Sequence, residues 1–183
     1  VEPQSEAVWR QADRYKVPRI AYVNKMDAVG ANFYKVIDAI EVKLGANPVV
    51  VTLPIGVEDR FSGVVDVLHG KALYWIDELG LEVEEADIPE DMRDLFAQYR
   101  DKLVTAASDF DDEILERYVH GEEIPAHMLI AALRKGTISN QIVPCFCGSS
   151  FRNKGVQRLL DGIVDFLPSP LDIPPVEGID PRT

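Results

Sequence analysis

The sequence predicts an α/β fold, a parallel sheet with helices that carries an inserted α+β subdomain. Three observations predict it. Two separate stretches, about 3–44 and about 141–170, each place a short apolar strand, a loop and an amphipathic helix in that order, as a parallel sheet requires. The stretch between them runs its strands first and its helices after, as an α+β unit does. Charge follows the same boundaries: residues 45–140 hold 20 Asp and Glu against 8 Lys and Arg, while the remainder holds 11 of each sign.

The elements follow in chain order. Pro3 suits a first helical turn, and Val8, Ala12 and Tyr15 recur on one face of that helix. Val17-Pro18 breaks it, and Arg19 to Val23 reads as a strand. Phe33, Val36, Ile37, Ile40 and Leu44 define a second helix, ended by Gly45. Pro48 to Leu53, Phe61 to Leu68 and Lys71 to Ile76 read as strands with Gly-rich turns between them. Met92, Leu95, Phe96, Tyr99 and Leu103 mark a longer helix, with shorter ones near 111–119 and 125–135. Gln141 to Cys147 is apolar enough for a strand buried on both faces, although Pro144 points to a bulge or an edge there. Val156, Leu159, Leu160, Ile163, Val164 and Leu167 fill one stripe of a last helix, before Pro168-Ser169-Pro170. The Asn153-Lys154-Gly155 turn caps that helix or shapes the loop before it, and capping is the favoured reading. The organisation is therefore 1–44, the inserted acidic subdomain 45–140, 141–170, and a Pro-rich linker at 171–183.

Bulk properties exclude several classes. A chain of 183 residues, 46% hydrophobic and 27% charged, has the composition of a soluble globular protein. No apolar run approaches the roughly 20 residues that span a bilayer, so no membrane partner is expected. The start Val1-Glu2-Pro3-Gln4 has neither basic flank nor apolar stretch, so no signal peptide is expected; the expected location is cytoplasmic, with an organellar matrix left open. With no initiator Met, the sequence reads as beginning inside a longer chain. Cys145 and Cys147 share one side of a strand, but no further Cys or nearby His completes four ligands, so no metal site is expected. Net charge is −12, all of it in 45–140. Such a segment is not expected to grip a nucleic-acid backbone and suits a basic protein partner better.

The chemistry lies in Asn24-Lys25-Met26-Asp27, directly after the first strand. A carboxylate there can accept two hydrogen bonds from the adjacent ring and exocyclic nitrogens that guanine alone offers. Asn24 can bond a ring acceptor or brace the loop, and the Lys25 stem can lie over the base. Gly148-Ser149-Ser150-Phe151 ends the last strand in the same way, and ligands bind outside the carboxyl ends of such strands. Its small serines let backbone N–H groups approach a 6-oxo group, which would repel adenine. Phosphates are another matter, because no Gly-x-x-x-x-Gly-Lys-Ser/Thr occurs in the chain. The sequence carries half of a nucleotide site.

Other clusters read more simply. Glu82, Glu84, Glu85 and Asp87 lack the spacing and glycine of a calcium loop and form a solvated face, or a surface for a partner. Asp109, Asp111, Asp112 and Glu113 suit a helix cap and its first turn. Trp9, Tyr74 and Trp75 read as core or as interface anchors. No nucleophile–base set is present, and no catalytic residue is expected.

With these residues placed, the chain resembles the translational GTPases, and within them elongation factor G. The likeness rests on Asn24-Lys25-Met26-Asp27 and Gly148-Ser149-Ser150-Phe151 together with more specific strings. These are Val1-Glu2-Pro3-Gln4-Ser5-Glu6, Val29-Gly30-Ala31-Asn32-Phe33, Leu44-Gly45-Ala46-Asn47-Pro48, Asn153-Lys154-Gly155-Val156-Gln157 and Leu167 to Pro175. Ala28 stands where that family usually has Arg, and Ser150 where it has Ala; backbone contacts survive both. The resemblance implies an incomplete P-loop-GTPase-type sheet, the second half of a GTP-binding domain, ending in a linker to a β-barrel. It implies GTP or GDP with Mg²⁺ in a full-length parent, whose Mg²⁺ ligands are not in this chain. It also implies GTP-driven movement of transfer and messenger RNA through the ribosome, with the insertion facing the stalk proteins of the large subunit. Guanine-binding positions would be Asn24, Lys25, Met26, Asp27, Ser149, Ser150 and Phe151. Without the phosphate loop and switches, the chain alone would not hydrolyse GTP. The alternative from another class is a non-catalytic acidic interaction module on an α/β scaffold. Rivals inside the family are a ribosome-protection protein, a release factor and the eukaryotic translocase.

Overall fold

The computed structural model describes residues 2–77 and 79–172. Helix α1 (Pro3–Arg14) leads to strand β1 (Ala21–Val23) and helix α2 (Phe33–Leu44). Next come β2 (Pro48–Val50), β3 (Thr52–Ile55), β4 (Gly63–Asp66), β5 (Lys71–Trp75) and β6 (Val83–Ala86). Helices α3 (Arg93–Ser108), α4 (Asp112–His120) and α5 (Ala126–Ile138) precede β7 (Val143–Cys147) and α6 (Val156–Phe166). The mixed α/β fold has a parallel sheet in the order β1-β7-β2 and an antiparallel sheet β3-β4-β5-β6. The linker expected at 171–183 lies, beyond its first two positions, outside the described residues. No helix among the described residues is long and apolar enough to cross a membrane.

The expected strand 48–53 is two strands, and the break joins the sheets. Val51 donates its N–H to Cys145 at 2.8 Å, while its carbonyl accepts from Val67 at 2.9 Å. One residue thus closes the parallel sheet and opens the antiparallel one. Beside it, Thr52 Oγ1 accepts the Cys147 N–H at 2.9 Å in the buried interior. Pro144, expected at a bulge or an edge, sits in the central strand. Val143 donates to Asn47 on the β2 side, so alternation turns Pro144 toward β1. Pairing with β1 starts only one residue later, at Ala21 and Cys145. The missing N–H therefore costs no ladder bond.

Helix α2 begins and ends as its residues dictate. Asn32 Oδ1 caps it by accepting the Lys35 N–H at 3.0 Å, and Gly45 closes it in the left-handed conformation (φ 63°). Phe33, Ile37 and Ile40 are buried beneath it, each contributing roughly 1.5–3 kcal/mol by leaving water. Two other helices differ from their stripes. Val8 and Tyr15 of the α1 region are exposed; α1 is held instead by Arg19, which stacks over Trp9 at 4.7 Å and pairs with Asp13 at 2.6 Å. Helix α6 buries Gly162 and Phe166 and leaves Leu160, Ile163 and Val164 exposed. A Cβ at Gly162 would collide with the Phe146 ring, so the close approach of α6 to β7 selects the Gly side. Arg134 of α5 then ties the end of α6, donating to the carbonyls of Val164, Asp165 and Leu167 at 3.1, 3.0 and 2.7 Å.

The acidic run that reads as a solvated face includes a strand absent from the sequence expectation. Val83 to Ala86 pairs with β5, Glu84 opposite Tyr74 and Glu85 opposite Leu73. Its outer edge pairs with no strand among the described residues. Glu82, Glu84, Glu85 and Asp87 are exposed along it.

Candidate functional site

Register brings the two expected loops together. Strands β1 and β7 run parallel with Val23 opposite Cys147, so residues 24–27 and 148–151 leave the sheet on one rim. The exits are stitched: Gly148 donates to the Val23 carbonyl, and Met26 donates to the Gly148 carbonyl, both at 3.1 Å. Glycine is required at 148. A Cβ there would collide with the Lys154 carbonyl and the Tyr22 hydroxyl. Beyond it, Ser149 and Lys154 exchange N–H···O bonds of 2.8 and 3.0 Å, closing a compact loop.

Asn24 braces this pair of loops. Its Nδ2 donates to Ser150 Oγ at 2.8 Å, and its Oδ1 accepts the N–H of Ser150 at 2.9 Å and of Lys25 at 2.8 Å. Lys25 occupies the left-handed region (φ 59°), leaving its long side chain exposed beside the loop. Asp27 comes next. The Ser149 hydroxyl foremost, then the Asp27 backbone N–H and the Arg152 guanidinium, hold its carboxyl below the usual carboxylate range. Arg152 Nε meets Asp27 Oδ2 at 3.1 Å. An ionised carboxylate with lone pairs to spare is the acceptor that a paired donor edge needs.

The seven expected residues do not play one role. Asn24, Lys25, Asp27, Ser150 and Phe151 lie on the exposed or half-exposed rim, and Phe151 is exposed at the loop tip. Met26 does not face that rim. It is fully buried in the core and anchors the loop from below. Ser149 is also buried; its hydroxyl helps hold the Asp27 carboxyl below the usual range and accepts the Arg152 N–H at 3.4 Å. The backbone donors expected to face a ligand are different too: Ser149 N–H is spent on Lys154, and Ser150 N–H on Asn24. Asn153 does not cap α6. Gly155 stands at that N-cap without a side-chain bond, and Asn153 reaches instead to the Leu79 carbonyl at 2.9 Å.

Two contributors escape the sequence reading. Arg152 supplies the cation beside Asp27, and Glu58 supports the loop from the insertion. Glu58 donates its N–H to the Met26 carbonyl at 3.0 Å, and its Oε1 accepts the Gly30 N–H at 2.8 Å. Nothing local marks Glu58, which is 28 positions from Gly30. A cleft of about 600 Å³ opens on the other side of the loop, between residues 23–32 and α2. Among the described residues no three His, Cys, Asp or Glu side chains gather to hold a metal. The thiols of Cys145 and Cys147 are both free and buried, and burial pushes that of Cys147 up to about 12.

The rim of the parallel sheet thus carries an Asn-Lys-Met-Asp loop braced against a serine turn. Residues 1–169 match the elongation factor Tu GTP binding domain family, and the chain belongs to that family. It is also similar to a crystal structure of a protein from Thermus thermophilus, at 30% identity and a TM-score of 0.81. That match covers 94% of this chain and 25% of the other, so the chain spans a quarter of that protein's length.

Proposed function

We propose that this chain is the base-selecting part of an elongation-factor-G-type translational GTPase. The observation that carries this reading is the cross-loop bracing of Asn24 by Ser150, which presents the ionised Asp27 on the rim. In the proposed complex Asp27 accepts from the ring N–H and the exocyclic amine of guanine, and the Lys25 stem covers one face of the base. Adenine offers no such adjacent donors, so its binding would leave the remaining lone pairs of Asp27 without a donor from the base. Phosphates and Mg²⁺ would be held by residues outside these 183, as would the groups that position water for hydrolysis.

In this reading the full-length protein drives movement of transfer and messenger RNA through the ribosome in the cytoplasm or an organellar matrix. The acidic insertion meets basic surfaces of the large-subunit stalk. The chain alone turns over no GTP, and Mg-dependent turnover above background would overturn that part. An NMR titration tests the base site directly and tolerates weak binding. GDP should shift the amides of 24–27 and 149–151, and ADP should not. No response to GDP, or the same response to both, would leave only an acidic interaction module on an α/β scaffold.

A further inference from the structure

We infer that the turn joining β5 to β6 is a strut for the loop 149–155, with Asn153 and Gln157 as the positioning residues through which the insertion sets the shape of the rim. The turn is fixed from within. The Asp77 carboxylate accepts the N–H groups of Leu81 and Glu82, each at 2.9 Å from Oδ1. Those backbone donors, with that of Glu82 foremost, hold its carboxyl below the ordinary range.

The turn then rests on the loop backbone to backbone. Gly80 has φ +68°, and a Cβ there would meet the Asn153 Cβ and the carbonyls of Arg152 and Asn153. Two side-chain amides lock the contact. Asn153 Nδ2 donates to the Leu79 carbonyl at 2.9 Å. Gln157 Nε2 donates to the Gly80 carbonyl at 2.7 Å while its Oε1 accepts the Trp75 indole N–H at 3.1 Å. Gln157, in the first turn of α6, therefore grips both β5 and the turn that follows it.

From the lock to the rim is a short path. Asn153 donates its own N–H to the Ser150 carbonyl at 3.3 Å, and Lys154 is bonded both ways to Ser149. Ser150 in turn holds Asn24. Neither Asn153 nor Gln157 touches the rim groups Asn24 or Asp27; they act through the loop. A partner that docks on the outer edge of β6, which pairs with no strand among the described residues, would load the strand–turn unit that props this loop. That consequence rests on the proposed base site, whereas the strut itself does not.

Amide hydrogen exchange by NMR on the 183-residue chain tests the strut. Asn153→Asp suits the left-handed backbone at that position (φ 52°) and removes the donor to Leu79. Gln157→Glu keeps the acceptor for Trp75 and removes the donor to Gly80. Either variant should speed exchange of the Ser149 and Lys154 amides about ten-fold, as expected for one lost bond that gates a local opening. Amides of β4 and β7 should keep their protection, and Gln157→Glu should keep the Trp75 indole signal in place. Loop amides that do not respond, or core amides that accelerate equally, overturn the proposal. No nucleotide is involved, so a negative GDP titration and a failed strut remain separate outcomes.

Discussion

Asn24 and Ser150 stand 126 positions apart and close on each other in both directions. Asn24 Nδ2 donates to Ser150 Oγ at 2.8 Å, and Asn24 Oδ1 accepts the Ser150 N–H at 2.9 Å. The same Oδ1 also takes the Lys25 N–H, so one side-chain oxygen organises the backbone of both loops. Asn24→Ala removes all of these bonds and should lower stability by about 1–2 kcal/mol in urea denaturation. Asn24→Asp keeps the acceptor and should lose about half as much. Equal stability of both variants and the parent would show that the rim is held elsewhere.

Gly148 sits where the exits of β1 and β7 leave no room for a Cβ. Any side chain there meets the Tyr22 hydroxyl and the Lys154 carbonyl, and that carbonyl cannot withdraw without opening its bond to the Ser149 N–H. Gly148→Ala should cost about 1–3 kcal/mol, the range for overpacking a filled site. Thermal melting checks this. Tyr22→Phe in the same background should recover part of the loss, since it removes one of the two colliding atoms.

The parts of this architecture written in local chemistry were legible in the sequence. Asn32 and Gly45 bound α2 because capping and left-handed geometry act within a few residues. Apolar runs ending in small polar loops placed both halves of the rim on a parallel sheet. What was not legible depends on contacts across the fold. Strand β6 carries glutamates, whose low strand propensity is overridden by pairing with β5. The sheet switch at Val51 is decided by Cys145 and Val67, far away in the chain. At the site, Asn24 and Asp27 could be named from their motif. That the Ser149 hydroxyl would help hold the Asp27 carboxyl low, that Met26 would point inward, and that Glu58 would brace Gly30 came only with the folded arrangement.

His69 makes the stability of the insertion depend on pH. Its Nδ1 lies 2.8 Å from the Asp66 carboxylate, which is buried and also meets Arg158 at 2.8 Å. The hydrogen bond to Asp66 raises the His69 value above the ordinary 6.5, against opposing desolvation and the nearby Arg158 charge. A raised folded-state value means that stabilisation is complete below 6.5 and is lost as pH rises through the folded value. Urea midpoints taken from about pH 6 to about pH 8.5 should therefore fall in the parent relative to His69→Asn. Parallel curves for the two proteins would remove His69 from the pH response.

Charge reversal along β6 separates the insertion's surface from its fold. Glu82, Glu84 and Glu85 are exposed, and Asp87 pairs with the exposed Lys71 at 3.1 Å. Such a pair contributes little, so replacing all four acids with Lys should move stability by less than about 1 kcal/mol. Binding to the basic stalk partner proposed above should weaken, most visibly at low salt. The GDP response at 24–27 should be unchanged. Stalk binding that survives the reversal would sever the acidic edge from that role.

Asp27→Asn tests the base-reading geometry by swapping what it reads. Guanine presents two adjacent donors, which a carboxylate accepts with both oxygens. Xanthine keeps the ring N–H and replaces the amine with a carbonyl, so it presents one donor and one acceptor. An amide at 27 matches that pattern, accepting through Oδ1 and donating through Nδ2, while mismatching guanine. The preference between GDP and xanthosine diphosphate should therefore reverse, with about 1–3 kcal/mol riding on the paired contact. Arg152 would lose its anionic partner in the variant, so Arg152→Ala serves as the control for that change alone. NMR shift titrations with both nucleotides supply the measurement. A variant that loses GDP without gaining xanthosine diphosphate would mean that Asp27 holds the loop through Ser149 and Arg152 and does not read the base.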